Sequence, residues 1–96
     1  MYAFTYDVPV DEHFYQRVKA EIGEEYPKGL VVHLVAKQPD GLRHFDVWES
    51  REDWERFRDE RVDPAVDKLL AQAGFRERPP NPPPLELELV DVWLGD

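Results

Sequence analysis

The residues of this chain best suited to proton chemistry near neutral pH are its three histidines. His33 interrupts an otherwise apolar run, Leu30 to Ala36 (LVVHLVA). Burial there would lower its pKa and keep the ring neutral. A neutral imidazole in an apolar pocket can act as general base towards a phenol or an acidic C–H. The alternative is a core histidine bonded to a neighbouring backbone group or carboxylate. His44 shares one face of its strand with Asp46 and Trp48, so Asp46 could orient the His44 ring. The alternative for His44 is a place near a hairpin end, partly exposed. His13 reads as a surface residue. His33 and His44 are therefore the catalytic candidates. They can also be neighbours across a hairpin, but spacing places no third ligand and no H-E-x-x-H pattern occurs, so no metal is expected.

A base needs a substrate wall. Tyr2, Phe4, Tyr6, Trp48, Trp54 and Phe57 could line a flat aromatic pocket, the surface that a planar hydrophobic ligand needs. Tyr6, Trp48 and Phe57 are the substrate-binding candidates; the same residues could instead be the core of a small protein. Ser50, the one serine, stands at a predicted helix start and reads as a cap rather than a nucleophile. No Gly-rich phosphate loop is present and no cofactor is implied.

The elements that must position these residues follow from periodicity. Tyr2, Phe4, Tyr6 and Val8 alternate with Ala3, Thr5 and Asp7, a strand with an aromatic face. Asp11 can cap a helix carrying Phe14, Val18 and Ile22, which Gly23 weakens and Pro27 stops. Leu30 to Ala36 is a strand apolar on both faces: Leu30, Val32, Leu34 and Ala36 on one, Val31 and Val35 beside His33 on the other. A covered sheet is implied. Two helices can cover only one face of so small a sheet, so a second copy of the chain is expected on the other. Gln38-Pro39-Asp40-Gly41 is a turn, and Leu42–Trp48 is the second arm of the hairpin. A helix then starts after Ser50 with Asp53 completing a capping box. Pro64 predicts a kink or restart after it, and Gly74 a helix end. Residues 76–84 (RERPPNPPP) read as a Pro-rich extended connector, and Leu85 to Leu94 as a last strand. The order βαβ–βαβ with an antiparallel sheet is the ferredoxin-like plan, an α+β single domain over residues 1–96.

Composition sets the remaining bounds. The 96 residues make one domain with a modest core. Twelve basic against 21 acidic side chains, a formal charge of −9, argue against nucleic acid and against an anionic membrane surface. No stretch approaches the ~18 apolar residues of a membrane span. Cysteine is absent, which excludes disulfides and zinc–thiolate sites and fits a reducing cytoplasm; the N-terminus has no basic signal-peptide region.

The run from Gly29 to Phe57, GLVVHLVAKQPDGLRHFDVWESREDWERF, resembles the antibiotic biosynthesis monooxygenase-like proteins of the dimeric α/β-barrel superfamily. The resemblance rests on a GL-x-V-H segment, a D-V-W-E-S-R-E segment and the proline after the helix, and is specific over about Leu30 to Pro64. It implies a homodimer in which two ferredoxin-like protomers pack sheet to sheet, with a small-molecule pocket between sheet and helices of each. Members of the superfamily include cofactor-free oxygenases of polycyclic phenols, haem-degrading oxygenases, isomerases and proteins with no known activity. The haem-degrading branch shares the V-W-x-S motif but needs a second tryptophan and a histidine where this chain has Phe57 and Asp67, so haem breakdown by that route is not implied. What is implied is a small-molecule-binding protein, with a cofactor-independent monooxygenase acting on an aromatic or polyketide-like substrate as the leading activity. A non-catalytic ligand-binding or structural dimer, or an isomerase or cyclase on the same fold, are the alternatives.

Overall fold

A computed structural model describes residues 1–75 and 83–95. The elements are β1 (Tyr2–Val8), α1 (Glu12–Ile22), β2 (Leu30–Gln38), β3 (Gly41–Trp48), α2 (Arg51–Phe57), a π-helical turn (Arg58–Val62), α3 (Asp63–Gln72) and β4 (Leu85–Leu87). The strands form one antiparallel sheet in the order β2-β3-β1-β4, with the helical segments on one face: a ferredoxin-like α+β fold. Residues 76–82 of the expected Pro-rich connector lie outside the described residues.

The helix-facing side of the sheet is the aromatic side of β1. Tyr2, Phe4 and Tyr6 pair with Trp48, Asp46 and His44 of β3, and cross-strand partners share a face. Phe4 and Trp48 are fully buried, and the Trp54 ring packs 4.8 Å from Phe4 and 5.7 Å from Trp48. Tyr2, Tyr6, Leu30 and Phe57 close around this cluster. With aromatic side chains each able to bury roughly 150–250 Å², a few residues suffice for the core of so short a chain.

Capping delimits the helices. The Asp11 carboxylate accepts from the Phe14 amide at 2.7 Å, and Ser50 Oγ accepts from the Asp53 amide at 3.1 Å while donating to the Asp53 carboxylate at 3.0 Å. Helix α1 stops at Ile22, a turn earlier than Pro27 requires, because Gly23 leaves the helix at φ 94°. The freed end is secured by Arg61, whose guanidinium donates to the carbonyls of Ile22 and Glu25. Gly74 ends α3 as expected: the Phe75 amide bonds to Leu70 O and the Gly74 amide to Ala71 O, the paired bonds of a Schellman motif.

Three expectations are corrected. Pro64 does not keep Asp63 out of the helix: Asp63 has helical angles (φ −61°, ψ −44°), and the irregularity expected there takes the form of a π-turn just before it, after which α3 starts with the proline in its first turn. Leu30 does not share a face with Val32: a bulge at Val31 lets Leu30 pair with Trp48 and Val32 with Val47, which turns Leu30 into the core. The last strand is only Leu85–Leu87 instead of reaching Leu94. Its register with β1 puts Glu88 opposite Tyr2, where β1 begins, so later residues have no strand beside them.

The other sheet face is open in the protomer. It carries Val32, Leu34, Phe45, Val47 and Leu85, and Leu34 and Leu85 are 58% and 66% exposed.

Candidate functional site

The hairpin register assembles the site. Gln38 pairs with Gly41 across the turn, so each step back along β2 meets a step forward along β3, reaching Val35–His44 and His33–Asp46. Gly41 permits the tight end of this hairpin: it sits at positive φ against the Val8 carbonyl, where a Cβ would collide with backbone. His33, His44 and Asp46 thereby share the helix-facing side of the sheet, and the two imidazole rings stand 5.8 Å apart.

Asp46 is 4% exposed and serves His33, not His44. Its Oδ1 lies 2.7 Å from His33 Nδ1, and its Oδ2 accepts from the indole N–H of Trp48 at 3.1 Å. An ionised carboxylate only accepts, so His33 Nδ1 carries the hydrogen and Nε2 is the basic atom. That atom faces α1, where the Tyr15 hydroxyl donates to it at 2.8 Å. The result is a four-residue chain, Trp48–Asp46–His33–Tyr15, running from the core to the rim of the helix layer. Tyr15 is its outer end, and His33, the member before it, is not buried as its apolar strand predicts: its side chain is 31% exposed.

His44 is buried, 8% exposed, and not partly exposed at a hairpin end as one sequence alternative had it. It lies on a central strand, stacked on Tyr6 at 4.6 Å with the rings 12° apart and meeting the Tyr15 ring edge-on at 5.6 Å. Burial first, and then the nearby His33, push its pKa down to about 4, against the opposing pull of Asp46. His44 is therefore neutral at neutral pH. Its Nδ1 is buried with no hydrogen-bond partner among the described residues. Burial, reinforced by the charge of Asp46, raises the phenol pKa of Tyr6, and the same two causes raise that of Tyr15.

Tyr6 is half-buried beside His44, Trp48 is fully buried with its N–H committed to Asp46, and Phe57 is half-buried against Trp48 at 5.3 Å. A hollow of about 100 Å³ is lined by Tyr15, Val35 and Leu42 together with Glu12, Gln16 and Lys37. Val35 and Leu42 each lie two residues from a histidine on the same strand face, so this hollow is one row along from the histidine pair. A wider groove of about 820 Å³ lies at the opposite edge of the sheet, along Met1 and residues 86–92.

Two partners escape the sequence reading. The pairing of Asp46 with His33 follows from counting outward from the Pro39-Asp40 turn, a signal present in the sequence. Tyr15 carries no such signal, because its place depends on how α1 lies across β2. The third group near the two histidines is Asp46: one ligand atom from each of His33, His44 and Asp46 lies within 4.8 Å of the others.

No protein-family model matches the chain, and no curated protein matches it. Among solved structures it is similar to a crystal structure of an MhuD variant with two manganese protoporphyrin IX molecules bound per active site. The two are 20% identical, the likeness covers 99% of this chain and 100% of that one, and the TM-score is 0.53. At this identity the likeness shows the fold. Among the described residues, no helix is long and apolar enough to cross a membrane.

Proposed function

We propose that this protein binds a flat aromatic or polyketide-like molecule against the helix-facing side of its sheet and oxygenates it without a cofactor. The observation that carries the reading is the 2.7 Å bond between His33 Nδ1 and Asp46, itself held by Trp48. That bond sets the tautomer, leaves Nε2 as the base and stabilises the imidazolium formed when it takes a proton. Tyr15 presents a phenol O–H to that same nitrogen, so a phenolic substrate would take the position its hydroxyl holds. Proton removal gives an electron-rich anion able to reduce O₂. For a methylene beside a phenolic ring, one oxygen atom ends as a carbonyl and the other leaves as water, with the two methylene hydrogens. His44 keeps the surroundings uncharged, and Tyr6 supplies an aromatic wall beside it. Trp48 contributes from beneath through Asp46, and Phe57 backs Trp48. The porphyrin in the MhuD structure supports a large planar ligand on this fold.

The reading includes a homodimer. Its support is the open apolar sheet face with exposed Leu34 and Leu85. A second reading, a non-catalytic binding dimer, is favoured by one observation: both ring nitrogens of His33 already have protein partners. The test is turnover of a panel of polycyclic phenols with and without O₂. The proposal expects product and oxygen uptake together, and neither under anaerobic conditions. Equal rates without O₂ would make the protein an isomerase or cyclase, and saturable binding with no turnover would establish the non-catalytic reading.

A further inference from the structure

We infer that His33, His44 and Asp46 form a binding site for a divalent late first-row transition cation of the zinc class. Two imidazoles and one carboxylate are the donor set such cations take, and three protein ligands leave a fourth position open. One ligand atom of each residue lies within 4.8 Å of the others. Ligand atoms around a tetrahedral zinc stand about 3.3 Å apart, given bonds of ~2.0–2.1 Å. The cluster therefore has to close by about 1.5 Å at its widest, a movement within reach of side-chain torsions.

A second observation concerns one of the same three residues. His44 is 8% exposed, yet its Nδ1 has no hydrogen-bond partner among the described residues. Buried polar atoms without partners are rare, and a cation would satisfy this one. The surrounding groups also suit a metal. Trp48 holds Asp46 through Oδ2, so that Oδ1, which bonds His33 Nδ1 when no cation is bound, is the oxygen placed for coordination. Tyr15 holds His33 through Nε2. A hydroxyl can accept as well as donate, so when a cation takes His33 Nδ1 the proton moves to Nε2 and Tyr15 becomes its acceptor. Ligating histidines usually have such an outer partner, which fixes the ring and its tautomer.

The cation takes the place of the hydrogen shared by His33 and Asp46. Metal binding and the proton-abstracting arrangement are thus mutually exclusive, and the inference does not depend on any turnover by the protein. The full chain, without a histidine tag and stripped with a chelator, is titrated with Zn²⁺ by calorimetry and with Co²⁺ by visible absorption. The expected result is one cation per chain and a tetrahedral Co²⁺ spectrum. His44→Ala should weaken binding by about 100-fold or more and Tyr15→Phe by ~10-fold, the effect of losing an outer partner. His13→Ala, which alters an exposed histidine away from the cluster, should leave affinity unchanged. Zn²⁺ should also raise the unfolding temperature of the wild type but not of His44→Ala, which separates lost ligation from lost folding. Absence of stoichiometric binding, or equal affinity in the wild type and a folded His44→Ala, would overturn the inference.

Discussion

His44 is a buried titratable residue, and its charge state makes a measurable claim. Its pKa in the folded protein is about 4, below the ordinary value of 6.5, so the fold favours the neutral ring. Above about pH 6.5 neither folded nor unfolded chain is protonated there, and stability is full. As pH falls towards about 4 the unfolded chain takes up a proton that the folded chain refuses, so stability falls. The loss from this one group is on the order of 2 kcal/mol at pH 5 and ~3 kcal/mol by pH 4. Urea unfolding of chelator-treated protein at pH 7 and pH 5 should show this drop in the wild type and a smaller one in His44→Gln; equal pH dependence would contradict it. At this scale much was legible. His33, His44 and Asp46 stand out in the sequence, and the turn predicts their shared face. The choice of partner for Asp46 needed the register, and Tyr15 needed the packing of α1 on the sheet.

Elements were legible where local chemistry determines them. The strand–helix–hairpin–helix order, the Asp11 and Ser50 caps and the Gly74 stop all follow from residues within a few positions of each other. The Ser50 cap starts the helix that brings Trp54 and Phe57 onto Trp48. Ser50→Ala should cost about 1 kcal/mol, read by denaturant unfolding, and Ser50→Asp should recover most of it. An unchanged midpoint for Ser50→Ala would show that the cap is not needed. The bulge at Val31 and the short β4 were not legible, because each is a compromise between elements distant in sequence, while Pro64 signalled an irregularity but not that it would be a π-turn. The bulge turns Leu30 inward under Trp48, and β4 ends where β1 begins.

At the scale of the molecule, the sheet has one face covered by the helices, with an aromatic core and a small hollow beside Tyr15, Val35 and Leu42 at its rim, and one face that is apolar and open. Leu34 lies on the open face, opposite Phe45 and 58% exposed in the protomer. Sedimentation equilibrium at micromolar concentration should give twice the 11.3 kDa of the chain for the wild type. Leu34→Asp, which would bury an unpaired charge in the shared face, should weaken the dimer by about 100-fold or more. A wild type that sediments only as the single chain would defeat this assembly. The central claim is the proton-abstracting role of His33 set by Asp46, and the most direct test is the kcat of His33→Ala on an accepted phenolic substrate. Loss of about 10²- to 10⁴-fold with little change in KM is the predicted result. Turnover by His33→Ala at the wild-type rate would contradict it.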